Sequence, residues 1–351
     1  PPAPPACRPG LTEELLAQVL ALLDWRGLAV ARRACRGLRR GLAALGAQPE
    51  FRAHLIRHDS DSDWEEGTAP PDAVVNELVS ALTVQGRPGM LLLLTMDARS
   101  LNEELALLPP ALLGKALAPS TQVLAVQGSG VLGAAGPRVE DALESEDGGP
   151  QATAVLLTEG LLARGGAPGP ARLRLSRRRR ARVPVGGFPD GSFGGAVEQC
   201  WRWRWAGAGG GEWLRLDEVE VPIALGASVA GSLVTLRRRM QPSTGREEPY
   251  PKGGAEEQVA ALARRLAPRR PIGALLFPCC ARGRTMYGRP HVESRAVRAA
   301  VGADLPVAGL FMLGELGPPP EEIWSYPAPE GSANPPSQQQ GMSTVVFLLA
   351  A

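Results

Sequence analysis

A chain of 351 residues, 44% hydrophobic but only 5% aromatic, can bury a sizeable core built mainly of Leu, Val and Ala. Its 38 basic and 36 acidic side chains leave a net charge of +2, which excludes a general electrostatic affinity for nucleic acid and leaves the one basic run to be judged locally. Five cysteines, an odd number, exclude a disulfide framework, and the apolar runs MLLLL (90–94) and VVFLLAA (345–351) are too short to span a bilayer.

No signal-peptide pattern opens the sequence, so cytoplasm and nucleus are the expected compartments, with no membrane or nucleic-acid partner. Residues 11–40 read LTEELLAQVLALLDWRGLAVARRACRGLRR. Leu15, Leu16, Val19, Leu20 and Leu23 recur at helical spacing, Thr12 can cap the helix, and Glu13 and Glu14 fall where carboxylates favour its positive end. Asp24-Trp25-Arg26-Gly27 breaks the pattern, and Leu28, Val30, Ala31, Ala34, Cys35 and Leu38 resume it. Two short helices bury little apolar surface alone. They either pack on the main body as a hairpin or complete their core on a partner.

After a loop at 59–72, an α/β series is predicted: a strand in PGMLLLLTM (88–96), a helix over 100–119 interrupted by Pro109-Pro110, and a strand in QVLAVQGSGVLG (122–133) that ends in glycines. A third strand follows in ATAVLLTEG (152–160). RLRLSRRRRAR (172–182) holds seven arginines and reads as a solvated loop, or as an import signal or nucleic-acid patch. WRWRW (201–205) alternates Trp with Arg, so a strand there has one aromatic and one charged face, better suited to packing than to stacking bases. SVAGSLVTLRR (228–238) is a further strand and residues 254–268 an amphipathic helix. IGALLFPCC (272–280), HVESRAVRAAVG (291–302), PVAGLFMLGELG (306–317) and STVVFLLA (343–350) then read as strand, helix, strand, strand. The stretch 317–341 is poor in apolar residues and reads as a surface loop or insertion.

An offset of 184 residues lays the first series on the second: Gly89 on Gly273, Leu91 on Leu275, Val123 on Val307, Gly130 on Gly314 and Gly133 on Gly317. The expected organisation is therefore a helical module at 8–45 followed by an internally duplicated α/β body of two halves, 70–200 and 201–351.

The adjacent Cys279 and Cys280 carry the candidate chemistry. A zinc site needs three or four ligands, and only His291 stands nearby. A vicinal disulfide is strained. A nucleophile needs a base, for which Cys279–His291 is the available pair. In a strand, one of two adjacent cysteines faces inward and the other outward. Strand ends bind ligands in α/β folds. A pocket for an anionic or zwitterionic ligand is thus expected at Cys279, Arg282, Gly283, Gly314, Glu315 and Gly317, its thiol activated by the neighbouring arginines, with no metal or cofactor.

Two resemblances sharpen this reading. Leu11, Glu14, Leu15, Leu16, Val19, Leu20, Leu23, Asp24, Leu28, Cys35 and Arg36 stand where the F-box pattern wants them, with Thr12, Ala34 and Leu38 replacing its usual Pro, Val and Trp. ALLFPCCARG (274–283) resembles the FIST domain at Phe277, Cys279, Arg282 and Gly283, with Ala281 in place of a Gly. VPVGG (183–187), the Gly-Glu-aliphatic-Gly at 314–317 and the closing strand STVVFLLA resemble it too. The F-box-plus-FIST resemblance implies a non-catalytic substrate-recognition subunit of an SCF-type cullin ubiquitin ligase. Leu11, Leu15, Leu16, Val19, Leu20, Leu23, Leu28 and Cys35 would dock on the Skp-type adaptor, and the FIST body would capture a protein substrate or a small ligand. The alternative is a FIST-type sensor with no ligase role.

Overall fold

The structure, a computed structural model, describes residues 26–27, 49–56, 72–96, 107–134, 136–145, 152–163, 171–177, 192–206, 210–223, 229–237, 254–319, 322–326, 328, 336–340 and 342–351. Of the N-terminal module only Arg26 and Gly27, in helical conformation, are among them. The expected anchors Leu11, Leu15, Leu16, Val19, Leu20, Leu23, Leu28 and Cys35 lie outside the described residues, as does VPVGG at 183–187.

The described body is mixed α/β and mostly sheet. Its strands begin with β1 (Phe51–Ile56), β2 (Pro88–Thr95), β3 (Gln122–Gln127), β4 (Gly130–Ala134), β5 (Ala142–Ser145) and β6 (Ala152–Thr158). Next come β7 (Ala171–Arg177), β8 (Ser192–Val197), β9 (Gln199–Trp205), β10 (Gly211–Leu216), β11 (Glu218–Ile223) and β12 (Ala230–Arg237). The series closes with β13 (Pro271–Pro278), β14 (Val307–Phe311), β15 (Glu315–Gly317), β16 (Ile323–Tyr326), β17 (Gln338–Gln340) and β18 (Ser343–Ala350). The helices are α1 (Asp72–Ala81), α2 (Leu108–Leu112), α3 (Gly254–Leu266), the short α4 (Arg284–Tyr287) and α5 (Val292–Val301).

They form a six-stranded sheet ordered β1-β6-β2-β3-β9-β10, a five-stranded sheet β11-β7-β8-β15-β17 and a seven-stranded sheet β16-β12-β18-β13-β14-β4-β5. Continuous apolar runs mark strands buried on both faces. In β2, Leu92 and Leu94 point into a core shared by all three sheets, while Leu91 and Leu93 point the other way, under α1 and α2. In β13, Leu275 and Phe277 join the shared core, and Ala274 and Leu276 pack under α3 and α5.

The two long sheets repeat one plan. β2 runs parallel to β3 and antiparallel to β6, just as β13 runs parallel to β14 and antiparallel to β18. β1 flanks β6 as β12 flanks β18. Beyond these equivalents the sheets interlock. The hairpin β4–β5, from the first half of the chain, adds to β14 in the seven-stranded sheet. A division at 200/201 falls inside β9, and the β9–β10 hairpin belongs to the six-stranded sheet.

Several elements differ from expectation. QVLAVQGSGVLG is two strands in two sheets, because the chain turns at Gly128-Ser129; a side chain at Gly128 would meet Leu310 and the Phe311 carbonyl, each at 2.5 Å. PVAGLFMLGELG breaks likewise into β14 and β15. Pro109 and Pro110 open α2 rather than interrupt a helix, since the first turn needs no N–H from them.

The described part of the basic run is no loop. Leu173 and Leu175 of β7 are buried, while Arg172 pairs with Glu220, Arg174 with Glu218 and Glu220, and Arg177 with Asp217 along β11. These arginines are neutralised by a facing acidic strand. The stretch 317–341 is not all surface either: β16 alternates, sending Trp324 and Tyr326 into the shared core. The WRWRW strand behaves as read. Trp201 and Trp203 pack inward, Trp203 meets the Trp213 ring edge-on at 5.3 Å, and Arg202 and Arg204 face solvent.

Candidate functional site

β13 delivers the FPCC segment to the mouth of the seven-stranded sheet. There the Cys279 N–H donates to the Ser343 carbonyl and the Cys280 N–H to the Met312 carbonyl, each at 2.8 Å. The chain then turns through Gly283, whose φ of 70° suits a residue without a side chain, and enters α4. Cys279 is half-buried, Cys280 is exposed, and both are free thiols. The inward-outward split expected of adjacent residues is therefore present.

Arg282 does not face a ligand. It is completely buried, and its Nε donates to Glu293 Oε1 at 3.0 Å, its Nη1 to the Met342 carbonyl at 2.8 Å and its Nη2 to the Tyr287 hydroxyl at 2.6 Å. Nη2 also reaches Glu293 Oε1. Glu293, buried in the first turn of α5, takes further hydrogen bonds from Tyr287 at 2.9 Å and Thr344 at 2.6 Å. Burial pushes the Glu293 carboxyl up, but the Arg282 charge and these hydrogen bonds outweigh it and hold the group below its ordinary range. The guanidinium is thus occupied as a staple between the FPCC turn, α5 and β18.

A second carboxylate meets the same helix. Glu144 of β5 accepts the N–H groups of Glu293 at 3.0 Å and Ser294 at 2.8 Å through Oε1, capping α5 from the other half of the chain. Its own N–H donates to His291 Nδ1 at 2.8 Å, so that nitrogen acts as an acceptor. Burial, and then the charge of Glu293, push the Glu144 carboxyl up to about 7.

Glu315 completes the cluster. Ser343 donates to its Oε2 at 2.9 Å, while Oε1 is buried without a hydrogen-bond partner among the described residues. Burial pushes this carboxyl up to about 7, against the opposing pull of Ser343, Cys279 and Arg282. Cys279 itself is not activated. Burial raises its thiol, and the charge of Glu315 raises it further, so the nucleophilic thiolate is disfavoured at neutral pH. This differs from the expected activation by neighbouring arginines: the Arg282 guanidinium is engaged by Glu293.

Cys279, Arg282 and Glu315 are brought together, but as a packed polar cluster. Gly314 lies beside β8, where its carbonyl accepts the Ala196 N–H at 2.8 Å. A side chain at Gly317 would meet Thr235 and Val345 at 2.8 Å. Gly317 permits close strand packing here, whereas a side chain at Gly314 would meet only the end of Gln339. Sequence reading missed Glu144, Glu293, Tyr287, Ser343 and Thr344. The available signal was Arg282 itself, since an arginine drawn into a core needs a buried counter-charge.

The sequence from β12 through β15 carries a family match. Residues 231–318 match the FIST C domain. FIST C domains are of signal-transduction or sensor type. The match takes in Arg282, Glu293 and Glu315 and excludes the capping residue Glu144. Uncharacterized proteins of Mycobacterium bovis and Mycobacterium tuberculosis are each 38% identical over 68 residues, 18% of this chain and 17% of theirs. Another uncharacterized M. tuberculosis protein is 41% identical over 51 residues, 14% of this chain and 13% of its own. The chain therefore spans less than a fifth of the length of these relatives.

Proposed function

We propose that this protein is the substrate-recognition subunit of a cullin-type ubiquitin ligase in the cytoplasm and nucleus. The observation that carries the reading is the order of modules: an F-box-like pattern at 11–40 ahead of a FIST C domain at 231–318. In this reading Leu15, Leu16, Leu20 and Leu28 anchor the Skp-type adaptor, and the body captures a protein substrate or a small ligand. The chain performs no chemistry of its own; it raises the effective concentration of substrate near the ubiquitin-conjugating enzyme. The protonated state favoured at Cys279 accords with that non-catalytic role.

The test is a pull-down of the purified chain with the Skp-type adaptor, beside a Leu16→Asp, Leu20→Asp double variant. Capture by the parent and loss in the variant is the expected result. Absence of capture by both sinks the ligase reading.

A second reading, a FIST-type sensor whose N-terminal segment is structural, draws support from one contact. Arg26 Nη1 donates to the Gly114 carbonyl at 2.9 Å, tying the N-terminal segment to the body. Arg26→Ala discriminates: the sensor reading expects it to destabilise the body, and the ligase reading expects adaptor capture to persist.

A further inference from the structure

The β4–β5 hairpin leaves the first half of the chain to finish the sheet of the second, and it meets the start of α5 through polar contacts. That helix start is weak on its own. His291, its N-cap, lies in the left-handed region at φ 65°, which is unfavourable for a residue with a side chain, and it makes no side-chain capping bond. The N–H groups of Glu293 and Ser294 are taken instead by Glu144 Oε1, and the Glu144 N–H returns a bond to His291 Nδ1. The hairpin arm is slight as well: β5 has four residues, and β4 is its only strand partner among the described residues.

The charges at this junction do not balance. Glu144 and Glu293 are both buried at the first turn of α5, and one guanidinium, that of Arg282, is bonded to Glu293. Glu144 Oε2 is buried without a hydrogen-bond partner. The surrounding elements supply it with no cation among the described residues. On α5, Arg295 donates to the Glu140 carbonyl at 3.1 Å, and the buried Arg298 donates to the Arg138 and Gly136 carbonyls at 2.6 and 2.9 Å. In the turn before β5, Arg138 pairs with Asp141 at 3.1 Å, and Glu140 adds a further carboxylate. Tyr287 is engaged by Glu293 and Arg282, β4 carries no charged residue, and His291 Nδ1 accepts a hydrogen bond and so holds no proton. The helix start and its N–H groups favour an ionised Glu144, but burial and the charge of Glu293 outweigh them. A proton on Glu144 leaves one carboxylate against one guanidinium.

We infer that this junction is a proton-operated latch between the two halves of the body: loss of the proton from Glu144 loosens β5 and the start of α5 from each other, and its return closes them again. The opening is local, because a four-residue edge strand can leave its sheet while β2, β13 and β18, buried along their length, stay in place. It also reaches the FPCC turn, because Glu293 is both the charge beside Glu144 and the counter-ion of Arg282. The sign follows from burial. The closed Glu144 carboxyl stands at about 7 against an ordinary 4.5, so its support for closure is complete below 4.5 and is lost as pH rises through 7. The latch does not depend on whether the N-terminal module docks an adaptor.

The experiment is hydrogen exchange of the full chain at pH 6 and pH 8, corrected for the intrinsic rate and read at the amides of Glu144, Glu293 and Ser294. The parent is compared with Glu144→Gln, whose side-chain carbonyl still accepts the two N–H groups but cannot ionise. Protection in the parent, divided by that in the variant, should fall about tenfold between the two pH values, a ratio in which any titration of His291 cancels. Both proteins should protect these amides less than the amides of β2, and Glu315→Gln should leave the response in place. A ratio that does not change with pH overturns the inference. So does protection equal to that of β2 at both pH values, which would mean that the hairpin opens only with the whole fold, and so does loss of the response in Glu315→Gln, which would assign the proton to the other carboxyl.

Discussion

Replacing Arg282 with Met removes the centre of the buried staple. The side chain is fully buried and bonds Glu293 twice, Tyr287 once and the Met342 carbonyl once. Removing one partner of a buried ion pair leaves the other charge uncompensated and typically costs about 3–5 kcal/mol. Glu293 keeps Thr344 and Tyr287 as donors, which argues for the lower part of that range. Arg282→Met should therefore lower unfolding stability by about 3 kcal/mol in urea titrations followed by circular dichroism. Arg282→Met with Glu293→Met should cost less than the sum of the single losses, by about 2–3 kcal/mol, since the pair leaves together. The sign of the pH effect follows from the same geometry. Without the guanidinium, burial of Glu293 is opposed chiefly by the Thr344 and Tyr287 hydrogen bonds, and its folded pKa rises. The single variant is then damaged less at pH 5 than at pH 8, because protonation relieves the buried charge. A single-variant loss below about 0.5 kcal/mol, or strict additivity in the double variant, would refute the staple and return Arg282 to a ligand-facing role.

Two further outcomes test the same architecture. Glu144 and Glu315 have carboxyls near 7 in the folded protein against an ordinary 4.5, so each contributes most below pH 4.5 and loses its contribution as pH rises through 7. Wild-type stability should fall between pH 5 and pH 8, by up to roughly 3 kcal/mol for each carboxyl, and Glu144→Gln or Glu315→Gln should flatten the curve; identical profiles for parent and variants would contradict the burial argument. Gly309→Ala would place a Cβ 2.0 Å from the Leu276 carbonyl and 2.9 Å from Leu132, where β13, β14 and β4 meet. It should cost about 3 kcal/mol or prevent soluble expression, whereas Gly210→Ala, with nothing among the described residues within 4 Å, should stay near wild type; equal behaviour of the two would discredit the close strand approach.

What could be read from the sequence was what short-range periodicity encodes. β2, β13 and β18 show as apolar runs because both their faces are buried, and α3 shows through its 3.6-residue repeat. The aromatic face of β9 followed from simple alternation. β7 was obscured because its arginines look like a solvated run until the acidic β11 is set against it, and that pairing joins residues more than forty positions apart. β16 was obscured by its prolines and polar neighbours, although IWSY alternates as a strand should. β1 and α1 were missed outright: β1 is short and mixes polar with apolar residues, whereas α1 did carry a signal, Asp72 after Pro70-Pro71 with Val75, Leu78 and Leu82 at helical spacing.

The candidate site divides in the same way. Cys279, Arg282 and Glu315 were found because each ends a strand or follows one, and strand ends are visible as the place where an apolar run stops. Their roles were not visible, because a role depends on partners. Arg282 reads as a ligand contact until Glu293 is placed eleven residues on, in the first turn of a helix whose docking angle only the folded chain defines. Glu144 is more remote still: 149 residues separate it from the N–H of Glu293 that it caps. That contact exists because β4–β5 leaves its own half and finishes the other half's sheet. A duplicated sequence suggests two self-sufficient units, each closing its own edge. Here the edge of the seven-stranded sheet is closed by the first half, and the helix of the second half is capped from that borrowed hairpin. The polar cluster in the FIST C portion is therefore a property of the whole body, built across the repeat.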